Sequence, residues 1–452
     1  MALFKSKIGL IAATVGSAVG LGTVWRFPAE TQANGGAAFL IIYLACAFLL
    51  GVPVMLAEFS LGRAGRSDAS GLFSKLSPGT PWWMTGAGAI LVSYLIMMFY
   101  MVVGGWTLEY LVGSLNGELF SIPAEATDTV RDSFYATKMQ EYVHTPLYPA
   151  AATAVFVVLN LVVLIGGVQK GIERMSNIAM PLLFMLLLVF CAVSLSLPGA
   201  GAGVKYFLNP DFSKITAATV IGALGQALFS LSLGMGILIT YASYFPDNTR
   251  LGRTSITVVL LTLLVAILMG LIIFPAVSSF GLTDHEMAGT TLIFVTLPEV
   301  FGRMPGCVVW ASLFFLLLAI AALTSTVSMA EVAVKYLQDH FGVRRIPAAI
   351  IVVMPMALLS AVCSLSFSSL SSFTIAGHTI FSGLDALTNN IMLPAVALLT
   401  CIYAGWFAPK GLLKAQLSND GTIRTRLCGI VIFIIRWLSP LVILAIGICN
   451  LI

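Results

Sequence analysis

The chain has 452 residues, of which 59% are hydrophobic and only 9% charged, with a net charge of +4 and a mean hydropathy of +1.01. A soluble domain carries roughly a quarter charged residues, so this composition excludes a water-facing enzyme, a nucleic-acid binder and a disordered scaffold. The apolar excess runs along the whole length in stretches of about 20 residues, each long enough to cross a bilayer as a helix. The sequence therefore predicts an all-α polytopic membrane protein.

Apolar runs between polar breaks predict eleven spans, near 8–36, 38–60, 84–113, 150–167, 177–197, 217–244, 254–279, 304–336, 346–365, 378–404 and 427–451. The breaks alternate in character. One set is basic: Lys5 and Lys7; Arg63, Arg66 and Lys75; Lys170 and Arg174; Arg250 and Arg253; Lys335, Arg344 and Arg345; Lys410, Lys414, Arg424 and Arg426. The other set holds only Arg131, Lys138, Lys205, Lys214 and Arg303. Sixteen Lys/Arg against five place the N-terminus in the cytoplasm, and an odd number of spans places the C-terminus outside. The first stretch leads straight into Arg26-Phe27-Pro28 without a small-residue cleavage site, so no signal peptide is expected. The seven cysteines form no CxxC pair and mostly lie inside apolar runs, and the histidines at 144, 285, 340 and 378 are isolated, so neither a disulfide frame nor a metal site is expected.

Two spans are interrupted by glycine. The first reads Gly16-Ser17-Ala18-Val19-Gly20-Leu21-Gly22-Thr23, and the sixth runs from Gly225-Gln226 to Leu233-Gly234-Met235-Gly236. Gly16 and Gly20 also fit close helix packing, the plainer reading for one span alone. Two breaks five spans apart favour a central site instead, because backbone opened at mid-membrane depth must face protein, ions or water.

The run Ser17 to Gly22 followed by Trp25-Arg26-Phe27-Pro28 resembles the first-helix signature of the neurotransmitter:sodium symporter family. Asn34-Gly35-Gly36, Pro53 with Glu58 and Gly62-Arg63, Gly225-Gln226 through Thr240-Tyr241-Ala242-Ser243-Tyr244, and Ala322-Leu323-Thr324-Ser325 continue the resemblance over essentially the whole chain. It is similar to the bacterial amino-acid branch. The resemblance implies a 5+5 inverted-repeat fold with unwound helices 1 and 6: a core over 1–404 (repeats 8–197 and 217–404), then a cytoplasmic loop and a peripheral helix over 405–452.

The resemblance also implies site residues. Carbonyls of Gly16, Val19 and Ala321 and hydroxyls of Thr324 and Ser325 would hold sodium, five neutral oxygens that suit a hard monovalent cation. A first sodium site would use Ala18, Thr23, Ser230 and Thr262. There Thr23 and Thr262 stand where relatives carry amides or acids, which points to a weakened or absent ion and then to one sodium per substrate. Ala266 stands where chloride-dependent members carry serine beside matches to Tyr43, Gln226 and Ser230, so chloride is not expected. Gly20 replaces the aspartate of amine transporters, so the substrate should bring its own carboxylate. Leu21 and Gly22 N–H groups and the Tyr100 hydroxyl would hold that carboxylate, and carbonyls of Ser17, Phe229 and Ser232 the ammonium. Ser325 and the Ala18–Ser230 neighbourhood border the same pocket. Ile96, Val103, Phe229, Met235 and Met329 would line the side-chain subsite, and Met235 in place of a bulkier aromatic favours a large hydrophobic or aromatic L-amino acid.

Charges inside spans are costly and mark function by default. Arg26 and Asp385 match the pair that closes over the substrate, with Glu30 one turn beyond as a competitor for Arg26. Glu58 matches a structural acid bonding the unwound backbone of helices 1 and 6, and Glu331 reads as a structural polar bond. Gly171 and Pro181 match the helix 5 motif at which relatives unwind. Asp339 matches the acidic half of the inner gate; its basic partner falls at Met1, leaving Lys5 or Lys7 as substitutes and Phe4 in place of a gate tryptophan. The function implied is sodium-coupled amino-acid symport by alternating access in the cell membrane, without nucleic acid or an obligate protein partner. A proton-coupled transporter and a non-transporting amino-acid sensor are the alternatives, and no catalytic constellation supports an enzyme.

Overall fold

The computed structural model describes residues 3–122, 128–145, 147–282, 289–423 and 427–449. Met1, His285, Arg424 and Arg426 lie outside the described residues, as does the side chain of Arg131. Among the described residues, nine helices are long and apolar enough to cross a membrane. These are α2 (Ala37–Gly65), α3 (Trp83–Leu115), α4 (Leu147–Ile165), α5 (Val168–Leu195), α7 (Leu251–Ser279), α8 (Cys307–Phe341), α9 (Arg345–Phe367), α10 (Ile380–Phe407) and α11 (Cys428–Cys449). A tenth span, α1, is a bent pair, Lys7–Ala18 and Gly22–Ala33, meeting at 56°. Between α5 and α7 lies α6, formed by Ala217–Ser230 and Ile237–Ser243 around a non-helical link. By length and composition the described residues thus give nine spans, or ten with α1, against the eleven expected, because neither half of α6 is long enough to be counted as one.

Small residues let these helices close on one another. A Cβ on Gly62 of α2 would sit 2.2 Å from the Ile239 carbonyl of α6, and one on Gly105 of α3 would sit 2.6 Å from the Thr153 amide of α4. Such contacts bring backbones together where hydrocarbon on the outside gives helices no hydrophobic reason to associate. The first half of α1 packs on α5 and α8, and the long helices α3 and α8 run against each other. The outermost helix, α11, packs on α10 with the Trp406 and Trp437 rings 4.5 Å apart.

The basic breaks converge at one end. Arg63 donates to the Thr249 carbonyl at 2.7 Å and to Gln416 Oε1 at 2.6 Å, Gln169 donates to the Leu3 carbonyl at 2.7 Å, and Arg345 donates to the Leu164 carbonyl at 2.8 Å. One boundary departs from expectation: α5 begins at Val168 rather than near 177. Its first turn, Val168–Glu173, is a π-helix carrying Gln169, Lys170 and Glu173. Those polar residues end the apolar run but not the helix, because Glu173 is 4% exposed and finds its partners on the N-terminal segment.

Candidate functional site

The site forms where the two broken helices meet. The first half of α1 ends as the Val19 N–H donates to Val15, and helical structure resumes at Gly22. Between them the Leu21 N–H is free of the helix and donates to the Tyr100 hydroxyl of α3 at 2.6 Å. Gly20 has no side chain here for a steric reason: a Cβ would lie 2.3 Å from the Tyr100 hydroxyl and 2.5 Å from that of Ser325.

The α6 link is stitched from three sides. Glu58 Oε1 accepts the Gly234 N–H at 2.7 Å, the Ser93 hydroxyl donates to the Met235 carbonyl at 2.5 Å, and the Ser232 hydroxyl donates to the Ser17 carbonyl at 2.8 Å. Ser232 holds φ at 55°, a left-handed conformation that costs a non-glycine residue about 1–2 kcal/mol. Its bond to Ser17 joins the two breaks directly. Glu58 was expected to bond the opened backbone of both helices 1 and 6; it meets α6 only, and its other oxygen, Oε2, is buried with no hydrogen-bond partner among the described residues.

Ten of the residues expected to hold substrate close around a cavity of only about 10 Å³: Ser17, Ala18, Gly20, Gly22, Tyr100, Phe229, Ser230, Ser232, Met235 and Met329. That is room for about one water, so the polar groups here satisfy one another. Leu21 and Val103 instead line a vestibule of about 470 Å³ above it, together with Arg26, Glu30, Phe381 and Asp385. Ile96 is fully buried on α3 and lines neither cavity. Phe229 borders both spaces and so forms the floor of the vestibule.

Four of the five residues expected to offer sodium an oxygen, Gly16, Ala321, Thr324 and Ser325, lie together. The Ser325 hydroxyl donates to the Gly16 carbonyl at 3.3 Å, the Thr324 hydroxyl donates to Ala321 at 3.0 Å, and Thr324 Cβ packs 3.2 Å from the Cβ position of Gly16. All are neutral oxygens drawn from α1 and α8, a set that fits a monovalent cation. At the other set, the Thr23 hydroxyl donates to the Ala18 carbonyl at 3.1 Å, Thr262 bonds back to Val258 at 3.0 Å, and Ser230 pairs with the Tyr43 hydroxyl at 2.8 Å. Each hydroxyl there already has a protein partner. The Gln226 amide donates to the Gly22 carbonyl at 2.8 Å, and Ala266 is fully buried.

Arg26 is paired with Glu30 at 3.8 Å and lies 5.6 Å over the Phe229 ring. Asp385 instead accepts from Asn389 at 2.6 Å, and among the described residues Arg26 and Asp385 do not form an ion pair. At the basic end, Asp339 pairs with Lys335, one turn earlier on α8, at 3.0 Å; Lys5 and Lys7 do not take that place among the described residues. Phe4 is buried against the rings of Tyr241, Tyr244 and Phe245. Glu331, 0% exposed, meets Arg345 at 2.6 Å and accepts the Tyr244 hydroxyl at 2.7 Å, which gives this acid its structural partners. On α5 a Cβ at Gly171 would lie 2.0 Å from the Val163 carbonyl, and Pro181 sits inside the helix. Sequence reasoning missed Glu173 and Arg345 as partners, having read their neighbourhoods only as basic breaks.

The chain matches the Sodium:neurotransmitter symporter family over residues 2–127 and 120–452. It is 35% identical over 441 residues to the uncharacterized sodium-dependent transporter YhdH of Bacillus subtilis, covering 98% of this chain and 96% of that one. It is 28% identical over 372 residues to the sodium-dependent serotonin transporter of Drosophila melanogaster, covering 74% of this chain and 59% of that one. Among solved structures, that of MhsT in complex with L-phenylalanine superposes with a TM-score of 0.90 at 37% identity and covers 100% of both chains. The chain shares that inverted-repeat transporter fold and belongs to the bacterial branch of the sodium:neurotransmitter symporter family, which comprises sodium-coupled transporters rather than enzymes.

Proposed function

We propose that this chain carries a large hydrophobic or aromatic L-amino acid into the cell together with sodium. The observation that carries this reading is the Leu21 N–H held on the Tyr100 hydroxyl beside a side-chain-free Gly20. An amide and a phenol held against each other, with no acid alongside among the described residues, supply two donors that can turn to a carboxylate the ligand must bring. The carbonyls of Ser17, Phe229 and Ser232 receive the ammonium, so both charges of an α-amino acid are met by neutral groups. Met235 and Met329 give the side-chain end an adaptable apolar wall, and the L-phenylalanine bound in the related MhsT structure supports an aromatic substrate.

Sodium binds Gly16, Val19, Ala321, Thr324 and Ser325, and one ion moves per substrate because Thr23 and Thr262 put hydroxyls, weaker cation ligands, where relatives carry amides or acids. Chloride is not required. Substrate enters through the vestibule, Arg26 leaves Glu30 for Asp385, and Phe229 covers the pocket. Sodium then leaves at the basic end, which the excess of Lys/Arg places in the cytoplasm. The protein resides in the cell membrane, with residues 1–404 as the moving core and 405–452 as a loop and peripheral helix. Each charge moved across 100 mV contributes about 2.3 kcal/mol to accumulation.

Uptake of a panel of labelled amino acids into proteoliposomes, with sodium, chloride and pH varied separately, tests this. Uptake of aromatic or large aliphatic amino acids that needs sodium and ignores chloride is expected. Uptake that ignores sodium but follows a pH gradient would establish a proton-coupled carrier, and binding without uptake a sensor.

A further inference from the structure

The buried carboxylate of Glu173 lies outside the substrate and sodium positions, yet it joins α1 and α5, two helices that both border the Thr324 position. Glu173 Oε2 accepts the Lys5 N–H at 2.9 Å, and Oε1 accepts both the Ser6 N–H and the Ser6 hydroxyl at 3.0 Å. Ser6 is the N-cap of α1, its hydroxyl accepting from the Gly9 N–H, and the Glu173 side chain fills the space beside Gly9, 2.4 Å from where a Cβ would stand. Gln169, one turn away, donates to the Leu3 carbonyl at 2.7 Å. A carboxylate over the start of a helix also meets the positive end of its dipole.

Two turns further along α5, Met180 packs 3.5 Å from the Cβ position of Gly16, beside Thr324. The seam between α1 and α5 is thus closed at the sodium position by Met180 and at the basic end by Glu173. Glu173 belongs to the π-helical turn Val168–Glu173, which contains Gly171 and precedes Pro181. Unwinding of that turn would withdraw the carboxylate and leave the Lys5 and Ser6 donors without it.

We propose that Glu173 is a positioning residue for sodium release: it latches the start of α1 to α5, and its withdrawal as α5 unwinds frees α1 and opens the inward path. This rests on the reading of the Thr324/Ser325 position as the sodium site. Loss of three hydrogen bonds to a charged acceptor raises local opening at least tenfold, taking about 1.4 kcal/mol or more as their joint worth.

Hydrogen–deuterium exchange of the full chain in sodium tests the latch without any substrate. In Glu173→Gln and Glu173→Ala, the backbone of residues 3–10 should exchange about tenfold faster or more, while α3 and α8 stay as in wild type. In proteoliposomes fed labelled L-phenylalanine, half-saturating external sodium should rise about tenfold, because fewer molecules rest in the outward form. Glu173→Asp keeps a carboxylate and should recover part of both effects. Wild-type exchange at 3–10 in both the Gln and Ala variants would overturn the latch. Faster exchange with an unchanged sodium response would overturn its link to release. Sodium-independent uptake by the wild type would instead refute the functional reading, leaving the exchange result to judge the latch alone.

Discussion

Replacing Tyr100 by Phe removes one oxygen and little else. The ring is 3% exposed and stays packed, so the fold should survive the change. What is lost is the hydroxyl that accepts the Leu21 N–H at 2.6 Å and that would face the substrate carboxylate. A hydrogen bond to a charged group is worth about 1.5–3 kcal/mol, which corresponds to roughly 10- to 150-fold in affinity. In the substrate-free protein the Leu21 N–H is left unpaired, which destabilises the empty site and offsets part of that loss. The net expectation is about tenfold weaker binding. Equilibrium binding of labelled L-phenylalanine to purified protein in saturating sodium reads this directly, with thermal unfolding as the check on folding. The half-saturating sodium concentration measured at saturating amino acid should stay close to wild type, because Tyr100 contributes nothing to the Thr324/Ser325 oxygens. Binding within twofold of wild type would refute the placement of the carboxylate at Leu21 and Tyr100.

Three further outcomes follow from the same geometry. Glu30→Gln removes the carboxylate that holds Arg26 in the vestibule, so Arg26 should turn to Asp385 and apparent amino-acid affinity should tighten by about two- to fivefold, the worth of one half-exposed ion pair; equal or weaker binding would show that Glu30 does not compete. Arg345→Met leaves the fully buried Glu331 without its cation and should cost about 3–5 kcal/mol of stability, whereas Arg345→Met with Glu331→Met should recover most of it, as read by thermal melting in detergent. Replacing chloride with gluconate should leave uptake by the wild type unchanged, and loss of uptake in gluconate would refute the reading of Ala266 as the missing chloride ligand.

Much of the site was legible because its signals are local. A glycine-broken apolar run has few physical uses, and the stretch from Gly16 to Gly22 does open the backbone where it was expected to. Hydroxyls at Thr324 and Ser325 stand out in an apolar helix, and they do meet the Gly16 region of α1. The charged partners were less legible, because an ion pair depends on distance in space and leaves no local pattern. Glu173 reaches residues about 168 positions away and sits between Lys170 and Arg174, where it looks like part of a basic loop. Arg345 counts toward orientation like any other basic residue, and only the turn from α8 into α9 shows that it lies against Glu331. The start of α5 was misplaced for the same reason: polarity that finds partners inside the protein does not end a helix.

The central claim is that sodium bound at the Thr324 and Ser325 oxygens drives amino-acid uptake. The most direct measurement is accumulation of labelled L-phenylalanine by proteoliposomes under an inward sodium gradient, for wild type and for Thr324→Ala/Ser325→Ala. The wild type should accumulate amino acid above the external concentration and lose it when the gradient is collapsed, and the double variant should not respond to sodium. Equal accumulation by both proteins, or accumulation by the wild type with no sodium present, would contradict the account.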